Sequence, residues 1–437
     1  MQKTQKLTLA VLIQAALIST AYASEQSEAK GFVEDAEGTV LFRTGFIDRD
    51  KKGGNADNRS TAQSAIFDLE SGYTKGIVGF GVGVVGDASF KLGDNKHAGN
   101  NMIPRETGLN DKGEITKGAG DTYDHWARGG ANVKARISNT EVRYGTQVLD
   151  LPVLASNTGR MVPEYFTGVL ATSREIKGLE LTAGKFTKDQ MSEQINSDGN
   201  ELDRAVVWGA KYKFNDQLNA SYYGLDSKNA LERHYVNANY KQVLANDSSL
   251  TYDFSGYHTE FDEQATTYSS TIGNKDVSGR SNNIWAISGT YNTGAHNVML
   301  AYQQNTGNTG YDYGQNADGF QSIYLPNSYL SDFVGNHEKS AQVQYSYDFG
   351  EMNIPGLSWT TAYVYGWDIK VNDLTDDAKE REFFNQVKYT VQSGFAKDAS
   401  LRLRNSIYRA SNDYQTNAYI GDTNEWRIFL DIPVKLF

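Results

Sequence analysis

Long runs of alternating side chains constrain this chain more than any other feature of its sequence. From Leu357 to Val371 the odd positions are mostly aliphatic or aromatic, whereas the even positions are mostly small or polar. The same split recurs at 341–349 and, in the opposite parity, at 426–436. Because successive side chains of a strand point to opposite faces, each run predicts a strand with one apolar and one polar face.

These runs are too long for an ordinary soluble sheet. Strands of soluble proteins have a typical length of about five or six residues, whereas the alternating runs here extend over ten to fifteen residues. A strand that crosses a membrane with a tilt of about 45° needs roughly 9–11 residues. An apolar outward band around a polar interior is typical of outer-membrane barrels. The alternation therefore predicts transmembrane strands.

About eighteen alternating segments can be counted, and an even count lets the last strand pair antiparallel with the first. The segments begin near residues 37, 64, 76, 125, 140, 165, 178, 203, 217, 231, 247, 283, 295, 338, 356, 380, 398 and 423. We predict an all-β fold, a single transmembrane antiparallel β-barrel of about eighteen strands around an aqueous channel.

The connections between these segments are of two kinds. Short turns lie at 139–140, 215–216, 246–247 and 397–398. Long stretches rich in Gly, Asn and Asp lie at 93–124, 261–282 and 305–337. Short turns at one rim and long loops at the other are a property of outer-membrane barrels.

The N-terminus has the pattern of a secretory signal peptide. Lys3 and Lys6 precede an apolar run from 7 to 18, and Ala21-Tyr22-Ala23 supplies the small residues of a cleavage site. The run is too short to cross a bilayer as a helix. We predict that residues 1–23 are a signal peptide and that residues 24–437 form the barrel domain, in the outer membrane of a Gram-negative bacterium.

Composition excludes several other classes of protein. The chain has no cysteine, which excludes a disulfide scaffold, a cysteine zinc site, an iron–sulfur cluster and a thiol nucleophile. Its net charge of −11 argues against a nucleic-acid partner.

Two motifs with known chemistry occur in the wrong context. The glycines of 81–86 satisfy G-x-G-x-x-G, but they lie inside a strand pattern and no helix follows, so we expect no dinucleotide site. The six histidines show no metal-ligand spacing, and no G-x-S-x-G elbow is present. We therefore expect no cofactor and no enzyme. An outer-membrane hydrolase with a Ser-His pair at His258, on the outside of the barrel, is a weak alternative.

Basic residues recur on the inward parity of several strands. Between 401 and 408 the apolar parity contains Leu401 and Ile407, so Arg402 and Arg404 point into the lumen. The same argument directs five more cations inward, namely Lys134, Arg136, Arg143, Lys388 and Arg427. Arginine and lysine rings select anions in pores, and a guanidinium can bind a carboxylate through two hydrogen bonds. The alternative is that these cations pair with inward carboxylates and only brace the wall.

A selective pore needs a constriction, and the segment 148–165 is the best candidate. Pro152 and Pro163 disfavour a central strand, yet the segment is unusually apolar for a surface loop. We expect it to fold into the lumen, the alternative being an outward loop packed on its neighbours. Its charged members are Asp150, Arg160 and Glu164.

Six stretches, taken together in this order and spacing, carry a resemblance to a known family. They are GFVEDAEGTVLFRTGFIDRD (31–50), DLESGYTKGIVGFGVGVVG (68–86), WARGGANVKARISNTEVRYGTQ (126–147), PVLASNTGRMVPEYFTG (152–168), IYLPNSYLSDF (323–333) and YTVQSGFAKDASLRLRNSIYRASNDY (389–414). The chain resembles the OprD family of substrate-specific outer-membrane porins, the outer-membrane carboxylate channels, over essentially all of the sequence after residue 23.

The resemblance implies an eighteen-stranded barrel narrowed by an inward third loop, here 148–165, and by a second inward loop. It also implies a basic ladder along one wall, which carries over to Lys388, Arg402, Arg404 and Arg427, with Arg136 nearby. Polar groups opposite the ladder would be Asn327, Ser328 and Asp332. Two departures leave the substrate open: Leu330 stands where some members have tyrosine, and residues 91–124 match no family pattern.

We therefore predict a passive, substrate-selective porin for small carboxylate-bearing solutes, such as amino acids, short peptides and organic or aromatic acids. Passage of carbapenem antibiotics is an expectation from the family alone. Ladder cations would attract the carboxylate, and Asp332 would hold an ammonium group. The partners would be these solutes and the lipid and lipopolysaccharide of the outer membrane, with the chain a monomer or a homotrimer. The alternatives are a broad general porin with a weak anion bias and a barrel with a plugged lumen.

Overall fold

The structure, a computed structural model, describes most of the chain after residue 23. The described residues are 24–53, 57–93, 103–104, 122–195, 202–265, 268–269, 275–313, 322–371, 374–411, 414 and 420–437. The signal peptide predicted at 1–23 and most of the unmatched stretch 91–124 lie outside these residues, so the signal peptide stays a prediction. None of the helices in the described residues is long and apolar enough to cross a bilayer.

Eighteen long strands form the sheet. They are β1 Glu37–Lys51, β2 Asn58–Glu70, β3 Val78–Lys91, β4 His125–Ile137, β5 Thr140–Gln147, β6 Tyr165–Ile176, β7 Leu179–Gln190, β8 Ala205–Lys213, β9 Leu218–Ser227, β10 Leu231–Val243, β11 Ser249–Phe261, β12 Ser281–Thr293, β13 His296–Gly307, β14 Lys339–Asp348, β15 Leu357–Ile369, β16 Ala378–Thr390, β17 Ser400–Ala410 and β18 Thr423–Lys435. Short strand pairs occur within two connections, Asp150–Leu151 with Leu154–Ala155 and Tyr268–Ser269 with Lys275–Asp276, and the 3₁₀ helix Phe349–Met352 lies in a turn.

The strands close into one antiparallel barrel. Each strand pairs with its neighbours in the chain, and β18 pairs with β1 in a register that extends from Thr39–Lys435 to Lys51–Thr423. Closure leaves no sheet edge to attract another strand. The predicted fold class and the pairing of the last strand with the first are confirmed, and the predicted segments correspond one to one with the strands.

The alternation separates a lipid-facing surface from the lumen. On β18, Trp426 and Leu430 are 47% and 40% exposed, whereas Arg427 and Phe429 are 4% and 1% exposed. On β17 the exposed members are Leu401 and Ile407, which leaves the other parity inside. The predicted orientations of both strands are therefore observed.

One strand breaks its own alternation. The sequence predicts that Ile369 and Val371 continue the outward face of β15, but both are buried, at 0% and 5% exposure. A bulge between Gly366 and Ile369 shifts the register against β16, and Asp368 takes a positive φ of 61° there. One extra residue reverses the faces beyond it, so this part of the predicted outward face was wrong.

The glycine-rich run of β3 makes room inside the barrel. A Cβ atom on Gly79 would lie 2.3 Å from the Gln26 side chain, and one on Gly83 would lie 2.3 Å from Glu70. The run is a strand, as predicted, and its glycines allow close packing of inward side chains.

The two rims of the barrel differ in the length of their connections, as the sequence predicts. Two-residue turns at 138–139, 177–178 and 294–295 lie at one rim, and the long connections 262–280 and 308–338 leave from the other. The chain segment after residue 23 lies at the short-turn rim, where the Gln26 amide donates to the carbonyls of Thr74 and Gly76. In outer-membrane barrels the short turns face the periplasm.

Candidate functional site: the constriction of the channel

An apolar cluster fills the part of the lumen beside β6 to β12. Leu149, Leu151, Val153 and Leu154 of the constriction loop, residues 148–164, are all less than a tenth exposed. They pack against inward side chains of β6 to β12, which include Phe166, Phe186, Val207, Leu225, Tyr257 and Ile284. The loop therefore folds inward as predicted, and the open path lies along the opposite wall.

A cavity of about 810 Å³ lies between this loop and the opposite wall. Cations line one side of it, from β1, the constriction loop, β17 and β18. They are Arg49, Lys51, Arg160, Arg404 and Arg427. Carboxylates and hydroxyls line the other side, from the constriction loop and from the second loop, whose described residues next to the cavity are 322–338. They are Asp150, Tyr324, Ser328, Tyr329 and Asp332. A solute in this cavity meets positive charge on one side and negative charge on the other.

The register of the strands builds the basic wall. Arg404 on β17 stands opposite Arg427 on β18, and Arg402 stands opposite Lys388 on β16. Four cations predicted from three separate strands therefore lie on one wall. Arg404 and Arg427 border the cavity itself, whereas Arg402 and Lys388 lie nearer the short-turn rim.

Sequence reasoning missed the contribution of β1. Arg43, Arg49 and Lys51 have the inward parity of that strand. Pairing of β1 with β18 places Arg43 opposite Asp431 and Arg49 opposite Glu425, on either side of the position that faces Arg427. The alternation around Arg43 and Arg49 and the predicted closure of the barrel together were sufficient to find them.

Some cations of the wall already hold a carboxylate. Glu425 accepts from Nε of Arg49 at 2.6 Å and from Nε of Arg427 at 2.5 Å. Asp431 accepts from Nε and Nη2 of Arg43 at 2.7 and 3.0 Å. For Arg43, Arg49 and Arg427 the structure therefore agrees with the alternative interpretation, in which inward cations pair with carboxylates and brace the wall.

Two arginines are held by aromatic rings instead. The guanidinium carbon of Arg402 lies 5.2 Å from the centre of the Phe429 ring, and that of Arg404 lies 5.0 Å from the centre of the Phe384 ring. Neither forms an ion pair with another residue that the structure describes. A ring under a guanidinium holds it flat and leaves its N–H edge to donate hydrogen bonds to an anion.

Arg160 adds a cation from the loop. Its side chain is buried at the cavity, 7% of the residue being exposed. Burial, and then the charges of Arg427 and Arg49, lower the pKa of Arg160 well below its ordinary value. The site therefore concentrates positive charge, which an anionic solute would relieve.

Each end of the constriction loop is fastened to another part of the barrel. The carbonyl of Pro152 accepts from the Tyr257 hydroxyl at 3.0 Å, and that of Pro163 accepts from Arg128 at 2.6 Å. Asp150 accepts from the hydroxyl of Tyr324, on the second loop. Glu164 is fully buried and accepts from the Asn157 N–H at 2.8 Å, so it braces the loop and does not line the cavity.

The second loop supplies two of its three predicted polar groups to the cavity. Ser328 and Asp332 line it, and Asp332 accepts from the hydroxyls of Ser328 and Tyr313. Asn327 is fully buried and donates to the Ser340 hydroxyl at 2.8 Å, away from the cavity.

Three predicted lumen cations lie elsewhere. Glu70 accepts from Lys134 at 2.6 Å and from Arg143 at 2.5 Å. Arg136 lies over the Tyr73 ring, 4.0 Å from its centre, and pairs with Glu25 at 3.8 Å. These side chains point inward from β4 and β5 but form a network of their own outside the cavity.

Among the described residues, both ring nitrogens of the exterior histidine His258 contact side chains other than serine, namely Asn283 and Glu260. Nδ1 of His258 hydrogen-bonds with Asn283 at 2.7 Å, and the imidazole ring stacks on that of His234 at 6.4 Å. In the described part of the chain, no group of His, Asp and Glu side chains has the geometry of a metal site.

Residues 30–436 match a family described as outer membrane porin, OprD family. The chain belongs to the OprD family. Porin D of Pseudomonas aeruginosa is 34% identical to it over 446 residues, which cover 96% of this chain and 95% of that protein. The crystal structure of OccAB1 from Acinetobacter baumannii has a TM-score of 0.88 and 73% identity, and the match covers 95% of this chain and 100% of that one. The crystal structure of OprD from Pseudomonas aeruginosa has a TM-score of 0.76 and 32% identity, with 95% and 99% covered.

Membership of the OprD family settles the class of protein. This chain is an outer-membrane porin of a Gram-negative bacterium, a channel for small solutes and not an enzyme.

Proposed function

We propose that this OprD-family porin is selective for small solutes that carry a carboxylate. The supporting observation is the two-sided cavity, with Arg404 and Arg427 on one side and Asp150 and Asp332 on the other. Such a pair of walls attracts a carboxylate and an ammonium group at the same time. Amino acids, short peptides and organic acids are the proposed classes of substrate.

The wall continues beyond the cavity. Arg402 lies two residues from Arg404 on the same face of β17, which is about 7 Å along a strand, and Lys388 stands opposite Arg402 on β16. Sites at this spacing would transfer a carboxylate stepwise toward the short-turn rim. Binding at each of these positions has to stay weak enough for release, because tight binding would stop the flux.

Single-channel current in planar bilayers tests the proposal. The probes are an amino acid and the amine of the same skeleton without its carboxylate, applied to the wild type and to Arg402→Ala/Arg404→Ala. We expect the amino acid to reduce the wild-type current and the amine to have less effect. In the double variant the half-blocking concentration of the amino acid should rise by about tenfold, so that the two probes differ little.

The matched control is Arg174→Ala. Arg174 pairs with Glu180 at 2.8 Å outside the cavity and is 46% exposed, so its variant should respond as the wild type does. A large current that is indifferent to the probes and to the double variant would contradict carboxylate selectivity and indicate a broad general porin.

A further inference from the structure

Glu425 pairs with some cations of the basic wall and leaves others without a carboxylate partner. Its side chain is 3% exposed and contacts two guanidinium groups, those of Arg49 and Arg427. The second contact has two hydrogen bonds, since Nη2 of Arg427 also donates to it at 3.1 Å. A carboxylate with this geometry has the hydrogen bonds that an incoming carboxylate would need.

The next position along the wall is open. Arg404 stands opposite Arg427 across β17 and β18 and borders the same cavity. Its Nε is buried and has no hydrogen-bond partner among the described residues. No carboxylate among the described residues pairs with this guanidinium, and the side of Arg404 that borders the cavity is where a solute carboxylate would bind.

We infer that Glu425 is a resident carboxylate that determines specificity, because it occupies Arg49 and Arg427 and leaves Arg404 as the docking point for a solute. The chemical consequence is a preference for one carboxylate over two. A dicarboxylate that places one group on Arg404 meets Glu425 at the neighbouring position, where two like charges repel. The substrate part of this inference rests on the proposed carboxylate selectivity.

The first test removes the charge of Glu425 and keeps its shape. Glu425→Gln frees Arg49 and Arg427, so we expect the reversal potential across a potassium chloride gradient to shift toward anion selectivity. We also expect the half-blocking concentration of succinate to fall by about tenfold, and that of butyrate, with the same number of carbons, to change far less.

The control is Glu141→Gln, which removes the same charge outside the cavity, where Glu141 pairs with Arg143 at 3.3 Å. It should leave both the reversal potential and the ratio of succinate to butyrate block as in the wild type. An equal shift in both variants would overturn the role of Glu425.

A second comparison uses variants that keep Glu425 and covers the case in which Glu425→Gln does not fold. Arg404→Gln should raise the half-blocking concentration of butyrate by about tenfold, and Arg427→Gln should raise it by less, because Arg427 is already occupied. Equal losses in the two variants would overturn the inference.

The reversal potential needs no organic solute, so it separates the two proposals. A shift in Glu425→Gln without any block by butyrate or succinate would support the charge role of Glu425 and overturn carboxylate selectivity. If butyrate and succinate both block a folded Glu425→Gln channel in the wild-type ratio, carboxylate selectivity is supported and the role of Glu425 is overturned.

Discussion

At the scale of single residues, a buried pair of carboxyl groups fastens the second loop to the barrel. Glu338, just before β14, and Glu380 on β16 are each 1% exposed, and Oε1 of each carboxyl group has no hydrogen-bond donor among the described residues. Gly335 donates its N–H to Glu338 at 2.7 Å, and the Ser331 hydroxyl donates to Glu380 at 3.0 Å. Two buried carboxylates repel each other, so we infer that this pair shares a proton. The other titratable groups around the pair are Asp332, Glu382, Tyr408 and Tyr414.

This pair predicts a pH dependence of stability. Burial, and then the Glu380 carboxyl, raise the pKa of Glu338 well above its ordinary value of 4.5. A group whose pKa is higher in the folded state stabilises the fold below its unfolded pKa, and that stability is lost as the pH rises through the folded pKa. We expect the thermal midpoint in detergent to fall as the pH rises from 4.5, and Glu338→Gln to flatten this part of the profile.

The control for that experiment is Glu351→Gln, since Glu351 is exposed in the 3₁₀ turn at the other rim. Its pH profile should be parallel to that of the wild type. A Glu338→Gln profile that is also parallel would contradict the shared proton.

At the scale of elements, one hydroxyl connects the two loops that narrow the channel. Tyr257 on β11 is 3% exposed, donates to the Pro152 carbonyl at 3.0 Å and accepts from the Tyr324 N–H at 3.0 Å. Tyr324 also donates its hydroxyl to Asp150. The constriction loop and the second loop therefore hold each other in position through this contact.

Removing the hydroxyl should loosen both loops. Tyr257→Phe leaves a buried carbonyl and a buried N–H without a partner, at a cost of about 1–3 kcal/mol. We expect larger fluctuations of the open-channel current than in the wild type, measured in planar bilayers. The matched control is Tyr235→Phe. The Tyr235 ring packs at a tilt against that of Tyr257, with 4.7 Å between the ring centres, and among the described residues its hydroxyl donates to Ser255, at 3.3 Å. Equal noise in the two variants would contradict the connection.

The elements also show which parts of the fold could be predicted from the sequence. Every strand was predictable because lipid and water select opposite faces of a strand whatever its neighbours are, as Trp426 and Arg427 show. The bulge at Asp368 was not, since a positive φ in the middle of a run has no periodic signature. The inward direction of Lys134 was predictable, but its partner Glu70, 64 residues away, was not. Ion pairing depends on register and on contacts distant in sequence.

At the scale of the whole molecule, the closing seam carries ion pairs inside the lumen. Arg43 on β1 binds Asp431 on β18 through two hydrogen bonds, and their side chains are 11% and 20% exposed. Arg43 also donates to the Arg160 carbonyl at 2.8 Å, so the seam and the constriction loop are joined.

Reversing one charge at the seam should destabilise the barrel. We expect Arg43→Asp or Asp431→Arg alone to lower the free energy of unfolding by about 3 kcal/mol, because each leaves a like-charged pair in a confined place. The double variant should recover part of the loss, measured by denaturant unfolding in lipid vesicles. Purely additive losses would contradict a direct interaction.

The comparison pair is Arg59 with Asp48, which join β1 to β2 at 2.9 Å, with the Arg59 side chain 60% exposed. Water screens this pair, so reversing either charge should change stability little.

The seam also determines when selectivity is acquired. The cations that the barrel wall supplies to the pathway belong to the first strand and to the last three, so the two groups come together only when the end of the chain meets its beginning. Until then the apolar cluster beside β6 to β12 can assemble, but the charged wall is divided between the two unpaired edges of the sheet. During insertion the channel therefore becomes selective only when the barrel closes, which is the last step of its assembly. A barrel that has not yet closed has no complete basic wall.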